Sequence, residues 1–365
     1  MPQRIAGFLV DVGSEMVLSI LPLFMAGLNI SKTWIGIIEG IAETASTALK
    51  AVSGWVSERV EKQKPLIVIG YTLSTVVKPF LALSNFWYQV LSVRFFDRIG
   101  RGERTVSRSG MVCGALLSSL LLFVFAGYFK MDALSQYRNI FWLSVIPAIL
   151  GMLTASAFMK EARKKIGGKE KQKELSLSLG KRLKLFFFVS ALFELAKFSY
   201  VLFILRAAEL GLLIPLVPII YLLYGMVYSG FIRPVEYLLE RVGIRKILIV
   251  GYLLFCFAHL GFASAEGARP IWLFFIVYGV ATAIVEVAPR ALIAHLAPEE
   301  KRGAAFGAYY TTIGLAALPA TAIAGLLWDN FGATVSFTYG AVIALAALIL
   351  FMVGTREHHF KKSAS

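Results

Sequence analysis

Apolar segments long enough to cross a membrane recur along almost the whole of this 365-residue chain. A helix needs about 20 residues to span the hydrocarbon core of a bilayer. Hydrophobic residues make up 58% of the sequence and the mean hydropathy is +0.73, whereas a soluble domain is roughly 45–50% apolar. We therefore predict an all-α polytopic membrane protein with about twelve transmembrane helices, near residues 5–28, 33–55, 65–83, 85–100, 110–129, 139–159, 184–206, 213–237, 246–264, 270–295, 303–326 and 332–354.

The chain is basic as well as apolar, with a net charge of +15 although only 16% of its residues are charged. Nucleic-acid-binding proteins are also basic, but they need a solvated basic face rather than apolar runs of this length. The lysines and arginines are concentrated in every second connection between the predicted spans, most densely over 160–184. Because cytoplasmic loops carry the excess of basic residues, we predict that the N-terminus, this central segment and the C-terminus are cytoplasmic.

A short stretch of sequence occurs twice, about half a chain length apart. Residues 58–71 read ERVEKQKPLIVIGY and residues 240–252 read ERVGIRKILIVGY. A repeat at this period indicates two related halves, and duplicated helical bundles are typical of membrane transporters. The predicted organisation is a six-helix bundle over 1–159, a basic linker over 160–183, a second six-helix bundle over 184–355 and a tail over 356–365.

Three parts of the sequence carry a resemblance to a known family. After the second predicted span, Gly54 is followed four residues later by Glu58 and then Arg59. The fourth span continues as RFFDRIGRGERTVSR over 94–108, and APRALIA at 288–294 precedes PEEKRGAAFG at 298–307. Together they resemble the major facilitator superfamily of secondary transporters over nearly the whole chain. The fourth-span stretch looks like the D-R-[IL]-G-K-G-x-R-T-x-x-R signature of a bacterial and archaeal branch.

The resemblance implies two six-helix bundles related by pseudo-two-fold symmetry, in a monomer located in the plasma membrane of a prokaryote. It implies a small-molecule solute and a proton as partners, with the lipid bilayer around the protein and no nucleic acid. It also implies no enzymatic activity, no cofactor and no metal. The sequence has no G-x-S-x-G, H-E-x-x-H or P-loop motif that would indicate an enzyme.

The connection between the fourth and fifth spans departs from the family pattern. Arg108 leads through Ser109 directly into the apolar segment that starts at Gly110, where the family has a Pro-acid-acid-basic loop. One outcome is a short fourth helix near 85–100 with a cytoplasmic turn over 101–109, a shortened hairpin that keeps twelve spans. The other is a distortion of both helices that impairs transport. The basic run favours the short helix, because it requires water.

Ionisable side chains inside the spans are the candidate functional residues, since a charge at membrane depth costs several kcal/mol unless it is paired or hydrated. Several of them occur three or four residues apart and therefore share a helix face. A carboxylate in an apolar cavity binds a proton more readily, so it can load and release one as access alternates. The candidates for substrate binding or proton coupling are Asp11, Glu15, Glu43, Arg94, Glu194, Lys197, Glu286 and Arg290.

Acid–arginine pairs at the predicted cytoplasmic helix ends are candidates for a gate. A carboxylate there can face the N-terminus of a neighbouring helix and pair with a nearby arginine, which holds one side of a transporter shut. The alternative interpretation is that these residues only mark where helices end at a solvated loop. The gate candidates are Glu58, Arg59, Asp97, Arg98, Arg104, Glu240, Arg241, Glu299 and Arg302.

Two hypotheses about function follow from this sequence. The first is a secondary active transporter that moves a small organic solute or drug by alternating access, coupled to protons. The second, motivated by the shortened connection before Gly110, is a transport-impaired relative with a sensing or scaffolding role in the membrane.

Overall fold

The computed structural model of the protein describes residues 2–59, 63–101, 107–158 and 180–354. Over these residues the chain is a bundle of α-helices without a β-strand. Two 3₁₀ turns, Ile214–Leu216 and Glu299–Lys301, precede longer helices. The α-helices are α1 (Pro2–Gly27), α2 (Lys32–Arg59), α3 (Gln63–Ala82), α4 (Trp87–Arg101), α5 (Arg108–Gly127), α6 (Ala133–Phe158), α7 (Lys181–Ala196), α8 (Tyr200–Glu209), α9 (Val217–Val242), α10 (Ile244–Ser264), α11 (Ile271–Leu296), α12 (Arg302–Phe331) and α13 (Ala333–Gly354).

In the described part of the chain, nine helical segments are long and apolar enough to cross a membrane, with α7 and α8 counted together as one. The remaining three, α2, α3 and α4, are more polar or shorter. With α7 and α8 taken as one span, the described helices cross the bundle twelve times and run alternately in opposite directions. We call the end at which α2, α4, α6, α9 and α11 finish the basic end, and the other the opposite end.

The fourth crossing is short, as the sequence predicted. Helix α4 has 15 residues, and at a rise of 1.5 Å per residue it is about 22 Å long, less than the roughly 30 Å of a bilayer's hydrocarbon core. Its phenylalanines Phe95 and Phe96 are exposed on the surface of the bundle, whereas Arg94 is buried. Helix α5 begins directly after Ser107, whose side chain accepts a hydrogen bond from the Gly110 N–H and caps the helix.

The seventh predicted span, 184–206, was expected to be one helix and is broken in the structure. Helix α7 ends at Ala196, three residues are non-helical, and α8 starts at Tyr200. The N–H of Lys197 closes α7 on the carbonyls of Phe193 and Glu194, while the Ser199 hydroxyl accepts from the Val201 N–H and caps α8. A serine cap in the middle of an apolar run therefore provides the local reason for the break.

The two most extensive contacts between the N-terminal and the C-terminal helices are those of α2 along α12 and of α5 along α9. Helix α2 approaches α12 so closely that a Cβ at Gly36 would collide with the backbone carbonyl of Thr321, and one at Gly325 with that of Lys32. Such small residues let two helix backbones pack closely in a membrane. Helix α1 is central: it packs against α5, α6, α8 and α9.

Several predicted features lie wholly or partly outside the described residues. They are Arg104, the side chains of Glu58 and Arg59, most of the linker 160–183 and the tail 356–365.

Candidate functional site

A bidentate ion pair between α2 and α4 is the most buried charged contact in the described bundle. Glu39 is 2% exposed and Arg94 is 1% exposed. The Nε and Nη2 atoms of Arg94 donate to the two carboxylate oxygens of Glu39, each over 2.8 Å. Parallel hydrogen bonds of this kind are the strongest that a guanidinium forms with a carboxylate. The pair therefore fixes α4 against α2 even though α4 is short.

Further charges extend this cluster along α4. The Oδ2 atom of Asp97 lies 3.7 Å from Nη1 of Arg94, and its Oδ1 accepts from the Ser74 hydroxyl at 2.8 Å. Arg98 approaches Glu43 with 3.6 Å between Nη2 and Oε2. The candidates Arg94, Asp97, Arg98 and Glu43 thus lie in one polar network between α2, α3 and α4, although the sequence assigned them to two separate roles.

Helix α1 contacts the C-terminal helices through Glu15. The hydroxyl of Tyr221, on α9, donates to a Glu15 carboxylate oxygen at 2.8 Å, and the contact is buried. Asp11 lies one turn nearer the basic end and accepts from the backbone N–H of Ser107 at 2.8 Å. Asp11 and Glu15 share a helix face as predicted, but one contacts the start of α5 and the other contacts α9.

The C-terminal helices hold a second charged cluster at the break between α7 and α8. Glu194 pairs with Lys197 at 3.5 Å, and Glu286 accepts from Arg290 at 2.8 Å on α11. All four residues line one cavity of about 30 Å³, which is room for one or two water molecules. The remaining lining residues are Ser190, Phe193, Tyr252, Val285, Pro289, Tyr309, Tyr310 and Ile313. The structure therefore unites four candidates that the sequence placed on two distant segments.

A larger open pocket of about 520 Å³ lies between α9 and α11 near the basic end. Glu286 and Arg290 line both this pocket and the small cavity, so the ion pair stands where the two spaces meet. From α9 the pocket is lined by Tyr228, Ile232, Glu236, Leu239 and Glu240, and from the start of α10 and from α11 by Ile244, Val287, Ala291 and Ala294.

At the opposite end, Asp329 of α12 holds the N-terminus of α2. Its carboxylate accepts from the backbone N–H groups of Lys32 and Thr33, at 2.9 and 2.8 Å, and from the Thr33 hydroxyl at 2.6 Å. The ammonium of Lys32 also lies 5.9 Å from the ring centroid of Trp328. An anion at a helix N-terminus satisfies unpaired N–H groups and complements the helix dipole. This clamp closes α2 onto α12.

The described gate candidates on the C-terminal helices make separate contacts. Glu240 lines the open pocket, while the Arg241 guanidinium stacks over Tyr237 at 4.8 Å from the ring centroid. Arg302 pairs with Glu299 at 3.4 Å and donates to the Ala294 carbonyl at 3.1 Å, which ties the start of α12 to the end of α11.

Among the residues of these sites that were not candidates, three make the contacts that hold helices together: Glu39, Tyr221 and Asp329. Glu39 could have been identified from its i,i+4 spacing to Glu43 together with the need of an arginine at membrane depth for a carboxylate. The partners of Tyr221 and Asp329 are about 200 and 300 positions away in sequence, and no local pattern indicates such contacts.

Comparison with known proteins agrees with this architecture. The sequence profile of the Major Facilitator Superfamily matches residues 186–365. An uncharacterized MFS-type transporter of Methanocaldococcus jannaschii is 32% identical over 373 residues, covering 94% of this chain and 92% of that protein. An uncharacterized protein of Mycobacterium tuberculosis is 21% identical over 374 residues, covering 96% of this chain and 91% of that one.

Solved transporters share the fold at low sequence identity. The nucleoside transporter NupG has a TM-score of 0.75 and 14% identity, covering 98% of this chain and 99% of NupG. A bacterial homologue of the human lysosomal transporter Spinster, in an inward-facing and occupied conformation, has a TM-score of 0.76 and 12% identity, covering 98% of this chain and 96% of that one. With an archaeal relative of this identity and coverage, and the twelve-span helical fold, the chain belongs to the Major Facilitator Superfamily of membrane transporters.

Proposed function

We propose that this transporter moves a small organic solute or drug by alternating access, coupled to the movement of protons. In this mechanism the six-helix bundles over 1–159 and 184–355 rock against each other, with the linker 160–183 between them and the tail 356–365 at the end. The monomer is the transporting unit. The basic end faces the cytoplasm of a prokaryotic cell, because basic connections stay on that side.

The observation that carries the proposal is the difference between the two ends of the bundle. At the opposite end, Asp329 clamps α2 to α12 with three hydrogen bonds. At the basic end, a pocket of about 520 Å³ is open. Alternating access requires conformations that are closed at one end and open at the other. The clamp is suited to such a cycle, because each hydrogen bond to the charged carboxylate contributes only about 1.5–3 kcal/mol net and can be broken and re-formed.

Proton coupling is assigned to Glu15. Its carboxylate is 2% exposed and is hydrogen-bonded across the interface between the proposed halves, to Tyr221. A carboxylate that loses a hydrogen-bond donor when two bundles separate changes its affinity for a proton. Protonation of Glu15 and the separation of α1 from α9 are therefore linked in this proposal.

The test is transport in proteoliposomes that contain the purified protein, with a panel of organic cations, anions and neutral solutes and an imposed pH step. We expect a pH-dependent flux of at least one solute. Glu15→Gln should retain exchange down a solute gradient and lose the acceleration by the pH step. Glu209→Gln is the matched control, because the Glu209 carboxylate pairs with Arg206 near the opposite end and is not a candidate for proton coupling.

Two results would contradict parts of this proposal. If no solute moved although the protein was folded, the transport-impaired alternative with a sensing or scaffolding role would be favoured. If Glu15→Gln left the response to the pH step unchanged, the assignment of proton coupling to Glu15 would be wrong.

A further inference from the structure

The open pocket between α9 and α11 has a charge opposite to that of the protein as a whole. Its lining includes the carboxylates of Glu236, Glu240 and Glu286 and a single basic residue, Arg290. The chain carries a net charge of +15, and its lysines and arginines are concentrated at this same end. The pocket is therefore acidic although it lies at the more basic end of the molecule.

The negative charge of the pocket is not neutralised from within. Arg290 is already engaged by Glu286 at 2.8 Å. Neither Glu236 nor Glu240 forms an ion pair with a basic residue in the described part of the chain. Arg241 directly follows Glu240, but its guanidinium stacks over the ring of Tyr237, the residue after Glu236. Glu236 and Glu240 are four residues apart and hence on one face of α9, where both line the pocket.

The rest of the lining is apolar and aromatic. Ile232 and Leu239 on α9 oppose Val287 and Ala291 on α11. Tyr228 lines the pocket on the same face of α9, two turns before Glu236. An aromatic ring adds apolar contact area to such a lining. A pocket of this size, mostly apolar with a few charged groups that fix orientation, is typical of a site for a small molecule.

We propose that this pocket binds an amphipathic organic cation: a bulky apolar body that carries one positive charge. The apolar body packs between Ile232, Leu239 and Val287. The cationic centre lies between Glu236 and Glu240, and the Tyr228 ring, two turns away, packs against the apolar body. This inference rests on the proposed function and names the substrate class of its site at the basic end.

Glu286 lies on the inner side of the open pocket, toward the centre of the protein. Glu286 lines both the open pocket and the cavity that holds Glu194 and Lys197. A cation that moves inward competes with Arg290 for the Glu286 carboxylate. Displacement of Arg290 then opens the passage between the two spaces, so that the Glu286–Arg290 pair acts as the inner barrier for a cationic solute.

The experiment compares two probes of the same shape and opposite charge, tetraphenylphosphonium and tetraphenylborate. Binding is measured by equilibrium radioligand assays on the full-length protein in nanodiscs, with empty nanodiscs subtracted. A protein with this net charge attracts anions non-specifically, so a preference for the cation is diagnostic. We expect saturable binding of tetraphenylphosphonium that weakens with added salt.

The E236Q/E240Q double variant should bind tetraphenylphosphonium about tenfold more weakly, which corresponds to about 1.4 kcal/mol. The matched control is E209Q/E266Q, which removes two carboxylates near the opposite end of the bundle and should bind like the wild type. Melting temperatures of both variants verify folding. Equal binding of the two probes, or an unchanged affinity in the E236Q/E240Q variant, would overturn the inference.

The outcomes also separate this inference from the proposed function. Binding of the cation without transport in proteoliposomes would support the cation site and contradict the proposed transport mechanism. Transport of other solutes without cation-selective binding would support the transport mechanism and contradict the cation site.

Discussion

At the scale of single residues, the ion pair between Glu39 and Arg94 has the largest energetic consequence. Transfer of an isolated charge into an apolar interior costs several kcal/mol, and only a paired and hydrogen-bonded arrangement offsets that cost. Both side chains are almost fully buried, and both hydrogen bonds are 2.8 Å long. Loss of Glu39 removes both of these hydrogen bonds and leaves Arg94 only the more distant Asp97 carboxylate at 3.7 Å, and loss of Arg94 removes the bidentate donor of Glu39.

We predict that Glu39→Gln and Arg94→Gln each destabilise the protein by about 3–5 kcal/mol, because each leaves one buried charge without its partner. The double variant should cost less than the sum of the two single ones, since neither member of the Glu39–Arg94 pair is then left without the other. Unfolding in mild detergent, as a double-mutant cycle, measures both effects. Additive losses would show that the two residues do not act as a pair.

Residue-level contacts also changed the interpretation of the predicted gate. Asp97 and Arg98 were assigned to the gate and Arg94 to the cavity. In the structure all three belong to one network, which Ser74 and Glu43 complete. Residues three or four apart on α4 share a face, so their roles cannot be divided by sequence position alone.

At the scale of helices, the contact between α2 and α12 is held by two different means. Gly36 and Gly325 allow the backbones to touch, and Asp329 binds the N-terminus of α2. The glycine contact depends on the absence of side chains, and the Asp329 contact depends on the charge of its carboxylate. Close packing alone does not distinguish an open state from a closed one, whereas the Asp329 hydrogen bonds exist only when the two helices meet.

We predict that Asp329→Asn shifts the protein toward conformations that are open at the opposite end, because the amide retains only one acceptor oxygen and no charge. A cysteine introduced at Ala322 of α12, whose backbone lies against Gly36 of α2, should react faster with a water-soluble maleimide in the Asp329→Asn variant, in a background without native cysteines. Asn330→Asp is the control, since it adds a carboxylate beside the clamp without removing it. Equal reactivity in both variants would contradict a gating role for Asp329.

The break between α7 and α8 shows how a helix can form a site. Unwound backbone is tolerated at membrane depth where it lines a polar cavity or is buried in protein. Here the break leaves Glu194 and Lys197 beside Glu286 and Arg290. The apolar composition of 184–206 predicted one continuous span, and the cap at Ser199 was the local signal that this prediction overlooked.

At the scale of the whole molecule, the distribution of charge predicts the orientation in the membrane. The sequence contains two cysteines, Cys113 and Cys256, so a background without cysteine needs only two substitutions. A single cysteine at Lys301, at the basic end, should be labelled only from the cytoplasm by a membrane-impermeant maleimide. One at Glu266, at the opposite end, should be labelled only from outside. The reverse pattern would overturn the predicted topology.

The apolar composition and the repeat at half the chain length were sufficient to predict the helical membrane architecture of this protein. The apolar segments predicted about twelve crossings, and the sequence before Gly110 predicted the short fourth helix. Both are local properties, because the bilayer requires about 20 apolar residues for each full crossing and excludes solvated basic runs. For the same reason, the ionisable residues inside the spans could be identified as candidates from the sequence.

Only the tertiary structure decided which of those residues act together. Glu15 contacts Tyr221, Asp329 contacts the start of α2, and Glu286 closes a cavity with Glu194. Each pair joins helices that are distant in the chain, and helical periodicity defines the face of a residue but not the helix opposite it. Sequence therefore determined that this chain is a membrane-embedded helical transporter with buried charges. The packing of α2 on α12 and of α1 on α9 decided where those charges meet.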